Sequence, residues 1–279
     1  MIIKTSETKP LTKSGMATEQ GISRASLYYQ AIKPQKDWKL KNQIERVLSD
    51  NPSYGHRRIA LSIKINKKRV LRVMRLFGLK PYRRRTRKYR KTKDYSAIYP
   101  NLLQSMPFPD KANQIWVSDF TYLSFHGKWI YLATIMDLFD RKITGWSLLT
   151  SHTAQLTTSA LINAVEKSGL PDIIHSDQGR EYTARIYIQF ADSLRIKLSM
   201  SHKGCPWENG YQESFYSQFK VDLGNPNRFE TLGELAVAVY QQIHYYNNLR
   251  IHTKLKMPPV QYSEQQRQLL TINSVPVIL

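Results

Sequence analysis

The chain has 279 residues and a single cysteine, Cys205. An internal disulfide is therefore excluded, and a cysteine-built zinc site lacks its ligands. Long apolar runs are missing too: no stretch approaches the roughly 18 uninterrupted residues that a membrane span requires. The opening "MIIKTSETKP" holds two apolar residues after Met1 and then turns polar, which is not the core of a signal peptide. These absences point to a cytoplasmic protein that makes no use of a membrane. Acidic residues are the last scarcity, with 21 Asp and Glu against 42 Lys and Arg, a net charge of +21. Such an excess suits a polyanionic partner, and nucleic acid is the commonest one. A merely solubilising basic surface is the rival reading.

What is present divides the chain unevenly. In "ATEQGISRASLYYQ", Gly21 makes a turn, Ser23 can cap a helix, and Leu27, Tyr28 and Tyr29 supply apolar surface. This looks like the second half of a helix-turn-helix, with Arg24 and Ser26 free to face DNA. A further helix is predicted over about 38–48, ended by "DNPSYG". In the next, Asn66 serves as cap, and Val70, Val73, Met74 and Phe77 recur at helical spacing. Lys67, Lys68, Arg72 and Arg75 lie largely off that stripe and suit DNA contact. The run "YRRRTRKYRKTKD" continues the basic theme; no Asp or Glu occurs between Arg57 and Lys93. Arg83, Arg84, Arg85 and Arg87, interleaved with Tyr82 and Tyr89, fit a phosphate backbone. The expected organisation is a helical DNA-binding region over 1–80 and a basic linker over 81–110. A catalytic core over 111–265 and a C-terminal tail over 266–279 follow.

After residue 110 the texture changes. Strand-like runs at about 115–124, 128–138 and 141–149 are separated by short turns, as in an antiparallel meander. Helix over 153–167, strand "DIIHS", helix over 183–194 and strand "IKLSMS" come next, then long helices near 208–222 and 231–249. The fold class is α/β with a mixed five-stranded sheet flanked by helices.

A basic α/β chain invites a search for metal-binding carboxylates, because two-metal phosphodiester chemistry is built on them. Asp119 lies in an apolar alternation with Ile115 and Val117, where an unpaired acid is costly. Asp177 follows the fourth strand, at the strand end where α/β sheets place binding groups. Glu213 sits in "ENGYQESFYSQFK", off the stripe formed by Tyr211, Phe215 and Phe219; Lys220, seven residues on, projects from nearly the same face. Exactly that arrangement is also met by chance on surface helices, and Asp177 could simply cap the next helix. The contexts decide. The stretches "WVSDFTY", "YLATIMDLFDRKITGW", "IIHSDQGREYT", "SMSHKGCPWENGYQESFYSQFK" and "YYNNLRIHTKLKMPP" resemble bacterial insertion-sequence transposases of the "insertion sequence three" family, in their second-frame product. These are relatives of retroviral integrases. "YGHRRI" with "KKRVLRVM" is similar to that family's N-terminal helix-turn-helix, and the resemblance spans about residues 20 to 265.

The resemblance implies a ribonuclease-H-like core with Asp119, Asp177 and Glu213 as catalytic triad and metal ligands. Thirty-five residues separate the last two. It implies two Mg2+ ions, replaceable by Mn2+, and cleavage at element ends followed by strand transfer. Expected partners are the terminal inverted repeats and target DNA, further copies of the chain, and an upstream-frame protein supplied separately or by frameshift fusion. The setting is then a bacterial cytoplasm, at the nucleoid. Lys220 is expected to touch the element end, while His202 and Lys203 border the DNA channel. Where many relatives have Asp-Asn, this chain has Glu208-Asn209, and the "ESF" context favours Glu213 as the ligand. Asp137 reads as structural, held by Arg141 or a backbone amide, and His175 as an orienting hydrogen-bond partner. A non-catalytic DNA-binding regulator and a plain nuclease on the same fold are the rival functions.

Overall fold

A computed structural model describes residues 12–28, 32–82, 99–202 and 205–273. Arg83, Arg84, Arg85, Arg87, Tyr89 and Lys203 lie outside the described residues.

The N-terminal region begins with helix α1 (Lys13–Glu19), capped by the Thr12 side chain. The helix expected after Gly21 is instead one short 3-10 turn, Arg24–Tyr28. Ser23 Oγ and Ser26 Oγ bond each other at 2.8 Å, and Ser23 Oγ also accepts the Ser26 amide. Such local side-chain bonds compete with α-helix formation. Helix α2 (Ile32–Asp50) starts six residues before the predicted boundary. Pro34 is tolerated there because the first helical amides have no intrahelical acceptor to lose. Helices α3 (His56–Ser62) and α4 (Lys67–Leu76) follow, and the Asn66 side chain caps α4 by accepting the Lys68 amide at 2.8 Å. Val70, Val73 and Met74 of α4 are buried against Leu40 and Ile44 of α2 and Ile59 of α3, as the spacing predicted.

The core is a five-stranded sheet in the order β3-β2-β1-β4-β5, where β1 is Ile115–Phe125, β2 Lys128–Asp137, β3 Ile143–Leu149, β4 Ile173–Ser176 and β5 Lys197–Met200. The first three strands are antiparallel; β1–β4 and β4–β5 are parallel. Helices α5 (Ala154–Ser168) and α6 (Arg185–Ser193) supply the connections to the parallel strands. Helices α7 (Gly210–Leu223), α8 (Leu232–Asn248) and α9 (Pro259–Asn273) complete the chain. This is the mixed five-stranded α/β sheet flanked by helices that the sequence predicted, preceded by a helical region. Helix α9 runs through the segment read as a tail, whose sequence carries a weak apolar period.

Alternation along β1 sorts the two layers. Ile115, Val117, Leu123 and Phe125 join Phe215 and Phe219 of α7 and Leu235, Val239 and Ile243 of α8. Trp116 points the other way, into a cluster with Leu156 and Leu161 of α5 and Tyr187 of α6. Helix α5 lies so close to β3 that a Cβ at Gly145 would stand 2.5 Å from the Ala160 carbonyl and the Ala164 methyl. Any side chain there would have to push the helix off the sheet.

The helical region docks on α7 and α8 through a polar cluster centred on Arg250, with Arg58 Nη1 also donating to Gln218 at 3.3 Å. Arg250, 2% exposed, donates from Nε to Asp222 at 3.0 Å and from Nη2 to Gln218 at 2.9 Å and Ser53 at 3.0 Å. The Ile251 amide donates to Tyr54 Oη at 2.9 Å, and Tyr245 bonds Asn51. Thus "NPSYG" at the end of α2 meets "NNLRI" at the end of α8.

Candidate active site

Strand register brings the first two carboxylates together. Parallel pairing of β1 and β4 runs Ile115–Ile173, Trp116–Ile174 and Val117–His175. Two residues beyond the last pair come Asp119, still inside β1, and Asp177, just past the end of β4, so the two lie at the same level on adjacent chain paths. Each is half-buried and held by an amide: Phe120 N donates to Asp119 at 2.8 Å, and Gly179 N to Asp177 at 2.9 Å. A Cβ at Gly179 would stand 3.0 Å from Asp177 Oδ1 and 2.9 Å from Glu181 Oε2. A side chain at Gly179 would crowd both carboxylates, which would have to shift to make room for it.

Helix α7 is pinned over the end of β1 by polar side chains on its buried face. Gln212 Nε2 donates to the Val117 carbonyl at 2.7 Å, Tyr216 Oη to the Asp119 carbonyl at 2.7 Å, and Asn209 Nδ2 to the Ser118 carbonyl at 3.2 Å. The β1–β4 pairing ends at Val117, which leaves β1 to find side-chain partners beyond it. Glu213 sits between Gln212 and Tyr216, half-buried in the first turn of α7. Burial, then the charges of Asp177 and Glu213, push Asp119 up to about 8, against the Phe120 amide and Lys220. Asp177 is raised by burial, opposed by the Gly179 amide. Like charges crowded in a poorly solvated place resist ionisation unless a cation joins them. Among the described residues, no three His, Cys, Asp or Glu side chains enclose a common point as a preformed metal cage.

Other predicted residues are placed as follows. Lys220 lies half-buried with Nζ 4.9 Å from the Tyr122 ring centre; Tyr122 and its neighbour Trp129 are each about half exposed. Arg24, Lys67 and Lys68 are exposed. Arg72 is bidentate to buried Asp37, so it ties α4 to α2. The expected stripe on α7 is shifted: Phe215 and Phe219 are buried but Tyr211 is 38% exposed, and Gln212, Tyr216 and Leu223 complete the inward face. Asp137 accepts the amides of Asn113 at 2.7 Å and Phe139 at 2.8 Å, a structural use by backbone donors. His175, fully buried, bonds Ser199 at 2.9 Å, and burial lowers it to about 4.

Glu208 is accounted for separately. Its carboxylate accepts the His202 amide at 2.7 Å, Asn101 at 2.8 Å and Gln104 at 2.9 Å, and faces the His202 ring at 3.1 Å. It clamps the segment before β1, through Asn101 and Gln104, to the start of the β5–α7 connection at His202. Sequence reading had no access to that clamp, or to Gln212 and Asn209 as pins. The one local signal was a glutamine inside an otherwise aromatic inward stripe.

Two family profiles described as integrase core domain match residues 109–206 and 194–259. A protein of Escherichia coli K12 named as the transposase InsK of insertion element IS150 is 33% identical over 258 residues. The match covers 88% of this chain and 90% of that one. The chain belongs to the insertion-sequence transposases. The transposase for element IS904 of Lactococcus lactis IL1403 is 34% identical, over 77% of this chain and 89% of its own length. The E. coli transposase InsF of IS3A is 33% identical, over 56% of the present transposase and 55% of its own length. Among solved structures, the HTLV-2 integrase catalytic core in complex with magnesium aligns over 55% of this transposase and 98% of that chain, at 23% identity and a TM-score of 0.43. The integrase-core match and the transposase relatives make this chain a polynucleotidyl transferase by family. Among the described residues, no helix is long and apolar enough to cross a membrane.

Proposed function

We propose that Asp119, Asp177 and Glu213 are the catalytic carboxylates of this transposase and that they hold divalent metal, Mg2+ with Mn2+ as substitute. The observation that carries this is the register, which sets Asp119 and Asp177 side by side, with Glu213 electrostatically coupled to Asp119. The donor set fits: all-carboxylate oxygen ligands suit a hard cation, and the charge crowding around Asp119 is what such a cation relieves. When bound, the metal supplies Lewis-acid stabilisation of the attacking and leaving oxygens. The protein's own contribution is positioning. Amide bonds fix both aspartates, while Gln212 and Tyr216 hold α7 so that Glu213 faces them.

The substrate is DNA at the ends of the element. In the first reaction water attacks a phosphodiester; the phosphorus–O3′ bond breaks and a free 3′-hydroxyl is left. In the second, that hydroxyl attacks a phosphodiester of target DNA, forming one ester bond as another breaks. Lys220 contacts the end, with His202 and Lys203 along the channel. Residues 1–80 form a helix-turn-helix-type DNA-binding region in which Arg24, Lys67, Lys68 and Arg72 meet DNA, and the basic linker over 81–110, with Arg83, Arg84, Arg85 and Arg87, supplies sequence-independent grip. The core spans 111–265, ahead of a terminal segment over 266–279. Two ends must be joined, so at least two copies act together, with an upstream-frame protein or fusion aiding end recognition.

The test is a strand-transfer assay on an end-bearing duplex with Mg2+ or Mn2+. Asp119→Asn, Asp177→Asn and Glu213→Gln should each lower the rate by about a thousandfold or more, since a misplaced metal forfeits several kcal/mol of barrier reduction. Near-normal activity in any variant removes that residue from the site. Cutting without joining by the intact protein would favour a nuclease.

A further inference from the structure

A cavity of about 840 Å³ opens on the flank of α7 formed by Tyr211, Ser214 and Gln218, turned away from Glu213. Its charge is one-sided. Arg58, Arg141, Arg250 and Lys254 line it together with His252, and Glu208 is the one carboxylate among the lining residues. Glu208 is already engaged by His202, Asn101 and Gln104. Arg250 is answered by Asp222. The rest of the basic set is satisfied only in part: Arg58 Nη1 donates to Gln218 at 3.3 Å and Arg141 bonds Tyr211, but other donor atoms are left over. Arg141 is 3% exposed, yet its Nε and Nη1 have no hydrogen-bond partner among the described residues; nor do Arg58 Nε and His252 Nδ1. Asp137 lies behind Arg141, but its oxygens are taken by the Asn113 and Phe139 amides.

Buried donors of this kind carry a desolvation cost until an acceptor reaches them. Four cationic groups gathered on one wall make that acceptor an anion. The remaining wall is aromatic: Arg141 stands 4.2 Å from the Tyr211 ring centre and 5.0 Å from that of Phe108, while Lys254 Nζ lies 3.7 Å above Phe108. Phe108 and Tyr211 are both more than one-third exposed, so each has a ring surface to offer. Cations that track phosphates, next to rings on which bases stack, are the features that hold single-stranded nucleic acid. A volume near 840 Å³ admits a nucleotide.

We propose that this cavity is a second DNA-contact site, which takes a phosphate and its base from a single-stranded segment of DNA on the side of α7 remote from the carboxylates. The idea rests on DNA being the polymer that the transposase handles. The deciding variant is Lys254→Glu, because Lys254 is exposed and outside the packed core. Its control is Lys167→Glu, an equal charge change on α5 across the sheet. Binding of a fluorescently labelled single-stranded oligonucleotide is followed by anisotropy over a salt series, with Mg2+-dependent cleavage of an end-bearing duplex measured on the same preparations. Lys254→Glu should weaken binding about tenfold and flatten the slope of log K against log salt by about 0.7, the loss of one phosphate contact. Lys167→Glu should leave both close to normal. Arg141→Gln, checked for folding by circular dichroism, should weaken binding further.

Equal losses in Lys254→Glu and Lys167→Glu would overturn the site; continued duplex cleavage would then show that the catalytic reading stands without it. An intact protein that neither binds nor cuts DNA would overturn both. Inorganic phosphate is titrated in parallel. If its binding depends on Lys254 while oligonucleotide binding does not, the cavity takes a small anion and the DNA assignment fails.

Discussion

Helix α7 separates two regions of opposite character. On one flank Glu213 joins Asp119 and Asp177, where burial and then the neighbouring negative charges push Asp119 up to about 8. On the other, Arg58, Arg141 and Lys254 gather around His252, which burial and those cations hold down to about 4. Between them, Arg250 and Asp222 form a buried pair in which each charge meets its opposite. The lesson lies in the contrast. The paired site is complete within the chain and serves docking. The two one-signed sites are each costly to the folded protein alone, and on the proposed readings each would be relieved by a partner of the other sign: a metal ion on the first flank, a phosphate on the second.

Breaking the internal pair should have the largest effect on stability. Arg250→Met leaves Asp222 buried with no cation and removes donors from Ser53 and Gln218. A loss of about 3–5 kcal/mol in urea unfolding is expected, with much of it recovered by adding Asp222→Leu. A loss under about 1 kcal/mol would mean that the pair is no keystone between the helical region and the core.

Discharging the acidic flank should act in the opposite direction. In EDTA, Asp119→Asn is expected to raise Tm by a few degrees, because the crowded charge is gone while the side-chain oxygen can still accept the Phe120 amide. Added Mg2+ should then raise the Tm of the unaltered protein more than that of the variant. A variant less stable than the parent in EDTA would show that the carboxylate is needed for folding itself.

The smallest effect concerns acid and the basic flank. His252 is lowered from about 6.5 to about 4 by burial and then by Arg141, Arg58, Arg250 and Lys254. As pH falls below about 6.5 the unfolded chain takes up this proton before the folded one does, so stability declines toward pH 4. His252→Gln should flatten that part of a Tm-against-pH curve. An unchanged slope would assign the acid sensitivity to other groups.

Much of the fold was legible in local pattern. Alternation in "IWVSDFTYLS" and "KWIYLATIMDL" marked β1 and β2 to within a residue, and the Asn66 cap with its apolar period marked α4. The local pattern failed where a competing interaction is short-ranged and polar, as at Ser23 and Ser26. It also failed where burial falls on polar side chains, as with Gln212 on α7, which took the place assumed for Tyr211. Start and end positions of α2 and α9 were missed because proline is harmless in a first turn and a weak apolar period is easily taken for a tail.

By itself the sequence singled out Asp119, Asp177 and Glu213 as candidate metal ligands, and determined the basic excess that suits a polyanion and the family resemblance. Those properties are carried by neighbouring residues and by composition, so a linear reading reaches them. The tertiary structure alone decided that Glu208 is a clamp, that Arg250 ties Ser53 to α7, and that four cations share one cavity. These depend on groups far apart along the chain, such as Asn101 with Glu208 and Ser53 with Arg250. Their meeting is set by how the layers pack, because a charge is stabilised by whatever surrounds it in space and not by its neighbours in sequence.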